Sequence, residues 1–250
     1  MKPSFLTYTK PILTTMIQTK DPTPGFVTME KAIAEGTDAF GYQVCRLNPR
    51  FRTPETYKKI MEAAQGRPVY VTNYRYGYNE GVSDDELAEG LLQLADAGAA
   101  LCDVMGDMFC KDPDELTMDE TAIKKQLELI EKLHEKGADV IMSSHTYAFR
   151  SAERVLEIAL EQQKRGADIV KIVTGADNME QQIENLRITE LLKRELKVPF
   201  LFLSVGECSL HRRIGPMLGS CMWLCVQEHD ELSTPAQPLL HKVKAIRDNF

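Results

Sequence analysis

"KRGADIVKIV", residues 164–173, and "EKGADVIMSSH", residues 135–145, share one design. In each, a polar segment with helical spacing stops at a glycine, and a short apolar run follows. Glycine adopts the left-handed conformation that ends a helix at little cost, so this order of residues marks a helix C-terminus feeding a strand. "DAGAALCDVM" from Asp96 and "EGTDAFGYQVC" from Glu35 repeat the junction.

Apolar runs bounded by Pro or Gly extend the pattern to strands at 11–17, 39–45, 68–74, 101–106, 139–145, 168–174, 199–205 and 221–226. Between them lie segments such as "DDELAEGLLQLADAG" from Asp84 and "SAERVLEIALEQQKRG" from Ser151, where apolar residues return every three or four positions. Strict alternation of strand and helix implies parallel strands with crossover helices. Eight such units in 250 residues predict an α/β protein, a (β/α)8 TIM barrel forming a single domain over residues 1–250. The competing architecture is an open doubly wound sheet, but no G-x-G-x-x-G follows a strand.

Composition narrows the function. Apolar residues make up 43% and charged residues 27% of the chain, enough for a sizeable core. The net charge of −7, with no basic block longer than a pair, argues against nucleic-acid and anionic-membrane partners. An anionic ligand must therefore be met by individual arginines. The six cysteines form no C-x-x-C pair and read as reduced. No signal-length or membrane-length apolar stretch occurs, which predicts a cytoplasmic protein.

Lys171 interrupts an apolar strand, and His145 closes the strand before it. Barrel active sites form at strand C-terminal ends, so the two side chains meet across the mouth if both face inward. Alternation along a strand leaves that facing open. Each residue also has an ordinary reading, a snorkelling or ion-paired lysine and a hydrogen-bonded histidine. Together they suit imine chemistry: a neutral amine attacks a ketone, the iminium acidifies a neighbouring C–H, and a base removes the proton. Apolar surroundings favour the neutral amine, and an imidazole accepts and returns protons near neutrality.

"MSSH" at 142–145, "GADIVKIV" at 166–173, "LHRRIGPMLGS" at 210–220 and "STPAQ" at 233–237 resemble, in order and spacing, the type I 3-dehydroquinate dehydratases. The resemblance implies a barrel, commonly a homodimer, that dehydrates a small-molecule oxo-acid through a lysine imine with no metal and no organic cofactor. It implies Lys171 as the imine-forming residue and His145 as general acid/base. It implies Arg212 on the substrate carboxylate, with Ser233 and Gln237 as closing-loop contacts. Arg212 beside Arg213 also reads as a solvated helix pair, and Ser233 as a cap of the last helix.

Departures from the family pattern gather in the first half. The family's Glu-x-Arg on the second strand is replaced by "GYQVCRL", which keeps Arg46 but puts Gln43 or Val44 near the missing carboxylate. On the third strand, "TNYRYGYNEG" separates Thr72 from Arg75, and Arg75 from Glu80, by one residue more than the family does. Arg75 is expected as a substrate contact and Glu80 as the carboxylate that orients His145, with a bulge absorbing the offset. The tyrosines of "YRYGYNEG" read first as packing. Thr146, "TGADN" and Ala236 stand where the family has Asp, Met-Pro and Gly.

Asp103 and Asp107 in "CDVMGDMFC" fit no recognised metal loop. Cys208 precedes a helix whose N-terminus would activate a thiol. His134 and His241 fall in helix patterns and are expected on the surface. Three readings follow: a dehydratase of 3-dehydroquinate or a related cyclic 3-oxo acid, an imine-dependent aldolase or lyase on another small oxo-acid, and a noncatalytic carboxylate-binding paralogue.

Overall fold

Each of the four glycine junctions closes its helix in the same way. Gly36, Gly98, Gly137 and Gly166 take positive φ, and the next residue's N–H reaches back to the carbonyl five positions earlier at 3.0 to 3.3 Å. Two of the aspartates that follow then bond into the sheet. Asp38 accepts from the Leu13 N–H and Asp168 from the Val140 N–H, each capping the start of a neighbouring strand.

The computed structural model describes residues 3–208 and 210–250. Its strands are β1 (Ile12–Ile17), β2 (Ala39–Gln43), β3 (Val69–Thr72), β4 (Leu101–Met105), β5 (Asp139–His145), β6 (Ile169–Gly175), β7 (Phe200–Val205) and β8 (Met222–Cys225). All lie within two residues of the runs read from the sequence. The helices after them are α1 (Pro22–Glu35), α2 (Pro54–Ala63), α3 (Asp84–Asp96), α4 (Glu120–Glu135), α5 (Ala152–Lys164), α6 (Met179–Glu195), α7 (Leu210–Leu218) and α8 (Leu240–Asp248). The strands are parallel in the order β7-β6-β5-β4-β3-β2-β1-β8. At the β7–β8 seam the Cys221 N–H donates to the Phe200 carbonyl, so the sheet is a nearly closed barrel.

Both faces of the sheet are buried, as parallel strands under helices require. Ile169 and Val173 of β6 belong to the cluster inside the barrel, with Ile141, Leu201, Leu203 and Leu224; Val170 and Ile172 pack outward against α5 and α6. Lys171 shares the parity of Ile169 and Val173 and therefore points inward, 3% exposed. The register sets Ser143 of β5 beside Lys171 and His145 beside Val173. His145 thus faces the interior one step nearer the C-terminal mouth.

Candidate active site

Lys171 Nζ donates to Asp103 Oδ2 at 3.0 Å, to the Tyr70 hydroxyl at 3.0 Å and to the Tyr74 hydroxyl at 2.5 Å. Both phenols also donate to Asp103 Oδ2, and Ser143 Oγ donates to Oδ1. Every group here is buried. Burial alone would raise the Asp103 carboxyl; Lys171, His145 and the hydrogen bonds from Ser143 and Tyr70 outweigh it and hold the carboxyl below its ordinary value. Burial first, and then the Asp103 charge, push both phenols well above the usual tyrosine range. They remain protonated donors. The result is a saturated cluster in which a charged pair inside the barrel keeps every hydrogen-bonding atom occupied.

His145 is held from the other side. Its backbone N–H and its Nδ1 both meet Glu115 Oε2 at 2.8 Å. An anionic acceptor at Nδ1 places the ring hydrogen there and leaves Nε2 as the basic nitrogen. The imidazole lies edge-on to Tyr74, with centroids 5.2 Å apart, and stacks on Tyr147 at 5.8 Å. Tyr74 therefore touches both Lys171 and His145. Glu115 comes from the segment between β4 and α4, where its φ is 48°, and the Ser144 hydroxyl donates to its carbonyl at 2.7 Å. A Cβ at Gly106 would stand 2.5 Å from that carbonyl, so a glycine is needed for the segment to lie against β5.

Above these groups opens a cavity of about 470 Å3 at the strand C-termini. Lys171, His145, Arg46, Arg212, Gln237 and Glu80 line it, with Tyr70, Tyr74 and Tyr76. Arg212 is 7% exposed, its Nε has no partner, and burial lowers its guanidinium to about 10 against the opposing pull of Tyr147. Arg46 lies over the Tyr76 ring at 4.9 Å, and its Nε is also unpartnered. Of the two residues near the missing second-strand carboxylate, Gln43 lines the cavity and Val44 does not; Gln43 accepts from Gln18 Nε2 at 2.9 Å and the Tyr76 hydroxyl at 3.1 Å.

The structure places three of the expected site residues elsewhere than the sequence pattern suggested. Arg75 is not among the cavity-lining residues: it bonds both Asp84 oxygens at 2.7 Å and Asp107 Oδ1 at 2.7 Å. Alternation is the reason, since Tyr70, Thr72 and Tyr74 line the cavity and the next residue turns away. Glu80 sits exposed at the rim, and the carboxylate on His145 belongs to Glu115. Ser233 bonds the backbone of Asp230 and lines a separate cavity of about 60 Å3, while Thr234 and Ala236 reach the larger one. Nor does Ser233 cap the last helix, which starts at Leu240.

Sequence reasoning weighed Asp103 only as a metal ligand, missed Tyr70 as a site residue, set Tyr74 aside as packing, and passed over Glu115. Asp103 carried the same signal as Lys171, a charge within an apolar strand. Tyr70 and Tyr74 carried an even spacing. Glu115, in a loop, carried none. Among the described residues no group of three or more His, Cys, Asp or Glu side chains is arranged to hold a metal ion, and Asp107 serves Arg75. His134 and His241 are exposed. No described helix is long and apolar enough to cross a membrane.

A nearly closed parallel barrel whose C-terminal mouth holds a cavity with charged side chains set in a largely apolar lining is the architecture of a barrel enzyme. The sequence profile of the type I 3-dehydroquinase family matches residues 17–248. A 3-dehydroquinate dehydratase from Methanosarcina acetivorans is 27% identical over 232 residues, covering 88% of each chain. Among solved structures, the 3-dehydroquinate dehydratase from Geobacillus kaustophilus superposes with a TM-score of 0.82 at 17% identity, covering 96% of this chain and 91% of that one. The type I enzyme from Clostridium difficile gives 0.81 at 16% identity, covering 98% and 94%. The chain belongs to the type I 3-dehydroquinase family, and it is a lyase.

Proposed function

We propose that the protein dehydrates 3-dehydroquinate or a related cyclic 3-oxo acid through an imine on Lys171, with His145 as the proton shuttle. The observation that carries this reading is that a lysine buried inside the barrel shares one cavity, and one tyrosine contact, with an imidazole whose Nδ1 is held by a carboxylate. Lys171 Nζ attacks the ketone carbon after passing a proton to an acceptor, and Asp103 Oδ2 lies 3.0 Å away to take it. The carbinolamine oxygen receives one proton from the nitrogen and the one held by Asp103, relayed through the hydrogen-bonded phenols of Tyr70 and Tyr74, and leaves as water. The phenols thus end protonated and Asp103 ends as a carboxylate. The resulting iminium keeps Asp103 as its counter-ion. His145 Nε2 removes the proton from the adjacent carbon and returns it to the departing hydroxyl, and water releases the product from Lys171. Arg212 and Gln237 hold the substrate carboxylate.

Borohydride reduction in the presence of 3-dehydroquinate is expected to add the reduced substrate mass to Lys171. Saturable binding with no adduct would favour the noncatalytic paralogue. The imine-dependent lyase or aldolase on a different oxo-acid is favoured by Gln43 lining the cavity near the missing second-strand carboxylate; an adduct formed from other oxo-acids but not from 3-dehydroquinate would select it. We also propose a cytoplasmic homodimer, on the strength of the family resemblance. Sedimentation velocity tests the dimer.

A further inference from the structure

Three cations line the cavity, Arg46, Lys171 and Arg212, against one carboxylate, Glu80, which is exposed at the rim. Lys171 is neutralised by Asp103. Neither arginine forms an ion pair or donates a hydrogen bond to a described residue, and each has a buried, unpartnered Nε. Elsewhere the protein spends its carboxylates freely on partly or fully buried arginines: Asp84 and Asp107 on Arg75, Asp114 on Arg150, Glu161 on Arg165, Asp38 on Arg247. A chain of net charge −7 thus keeps, among its described residues, two positive charges without a carboxylate partner in one cavity. Arg46 follows β2 and Arg212 lies on α7, after β7. Around the barrel these positions are separated by β1 and β8 on one side and by β3 to β6 on the other. The charges therefore stand on well-separated walls, with Lys171 of β6 nearer Arg212. Stacking on Tyr76 occupies the face of the Arg46 guanidinium and leaves its N–H edge for an acceptor.

We propose that, of the cyclic 3-oxo acids the reaction admits, this site prefers one related to 3-dehydroquinate that carries a second acidic group on a separate carbon, with one acid held by Arg212 and Gln237 and the other by Arg46. This rests on the imine reading for the position of the ketone, but the charge preference stands apart from it. Where the family's second strand supplies a Glu-x-Arg pair, Gln43 leaves Arg46 without a carboxylate of its own. That arginine is free for one from the ligand.

The test uses probes with no carbonyl, so that imine formation plays no part. Calorimetry compares cyclohexanecarboxylate with cis-cyclohexane-1,3-dicarboxylate and with the analogue in which one carboxylate is a phosphonate. At least one dianion is expected to bind about tenfold or more tightly than the monoanion, the value of one charge-assisted pair. Arg46→Gln should bring that ratio to within about threefold, and Arg46→Lys should restore part of it by keeping the charge. Circular dichroism confirms that both variants are folded. Equal binding of mono- and dianions, or a preference that survives Arg46→Gln, overturns the proposal. Failure of borohydride trapping at Lys171 would overturn the imine reading and leave this result standing.

Discussion

The floor and the rim of the cavity are built on opposite principles. On the floor, the Lys171 amine, both Asp103 oxygens and the hydroxyls of Tyr70, Tyr74 and Ser143 all have partners inside the protein. At the rim the polar atoms are left over. Nine buried side-chain nitrogen and oxygen atoms lack a partner among the described residues. Four of them, Gln18 Oε1, Arg46 Nε, Thr72 Oγ1 and Arg212 Nε, belong to residues that line this cavity. An unpaired buried polar atom costs about 1–3 kcal/mol, so such a concentration at one place is a stability sacrifice. The floor is arranged for a fixed chemical step, and the rim for a partner from outside the chain.

That contrast predicts opposite responses to substitution. The largest effect belongs to the floor. Lys171→Met is expected to abolish the borohydride-trappable adduct and turnover, and to destabilise the fold by roughly 3–5 kcal/mol because Asp103 is left charged and buried. Adding Asp103→Leu should recover much of that stability in urea denaturation while activity stays absent. No recovery would mean that the pair is not coupled. Next, His145→Ala should lower kcat by about 10²–10⁴-fold. Glu115→Gln, acting through His145, should lower kcat by about tenfold with KM nearly unchanged, a larger loss of kcat than Glu80→Gln produces. The reverse order would restore Glu80 as the orienting carboxylate.

At the rim the sign changes. Arg212 is buried with no counter-ion among the described residues, and its charged form is disfavoured in the fold relative to the unfolded chain. Arg212→Leu should therefore raise stability by about 1–3 kcal/mol while abolishing carboxylate binding. A fall in Tm would show that the guanidinium has a structural partner. Arg212 by itself should contribute a gain in stability as pH rises through about 10, because its proton is then kept in the unfolded chain and lost in the folded one. The buried phenols of Tyr70 and Tyr74 act in the opposite sense, so the gain is read as the difference between the wild-type and Arg212→Leu stability curves.

The smallest effect concerns acid. Burial, helped by Arg212, lowers His211 to about 4, so the unfolded chain binds the extra proton first. Stability is expected to start falling below about pH 6.5 and to finish losing this contribution near pH 4. Asp103 is also depressed, and its contribution begins to fail only below the ordinary aspartate value of about 4. Stability measured against pH for His211→Gln should be flatter between those two limits. An unchanged curve would assign the loss elsewhere.

Much of the architecture was legible because it is local. A helix that ends in Gly and hands over to an apolar run announces its boundary within about ten residues, and eight alternations leave few other topologies. Lys171 and His145 were legible as anomalies against apolar strands. Arg75 was misplaced because a one-residue offset on a strand reverses the side chain, and Tyr74 took the inward position instead. Glu115 was invisible because its role depends on a loop folding back over β5, which no spacing encodes.

From its order of residues alone, then, this protein was determined to be an eightfold alternation of strand and helix, with an amine and an imidazole late on neighbouring strands. Both are properties of short segments governed by backbone sterics and hydrophobic period. Only the tertiary structure decided that Asp103, Tyr70 and Tyr74 converge on the amine, that Glu115 holds the imidazole, and that two cavity arginines have no carboxylate partner among the described residues. Those facts depend on barrel stagger and loop packing, which join residues far apart in the chain and are set by the whole fold at once.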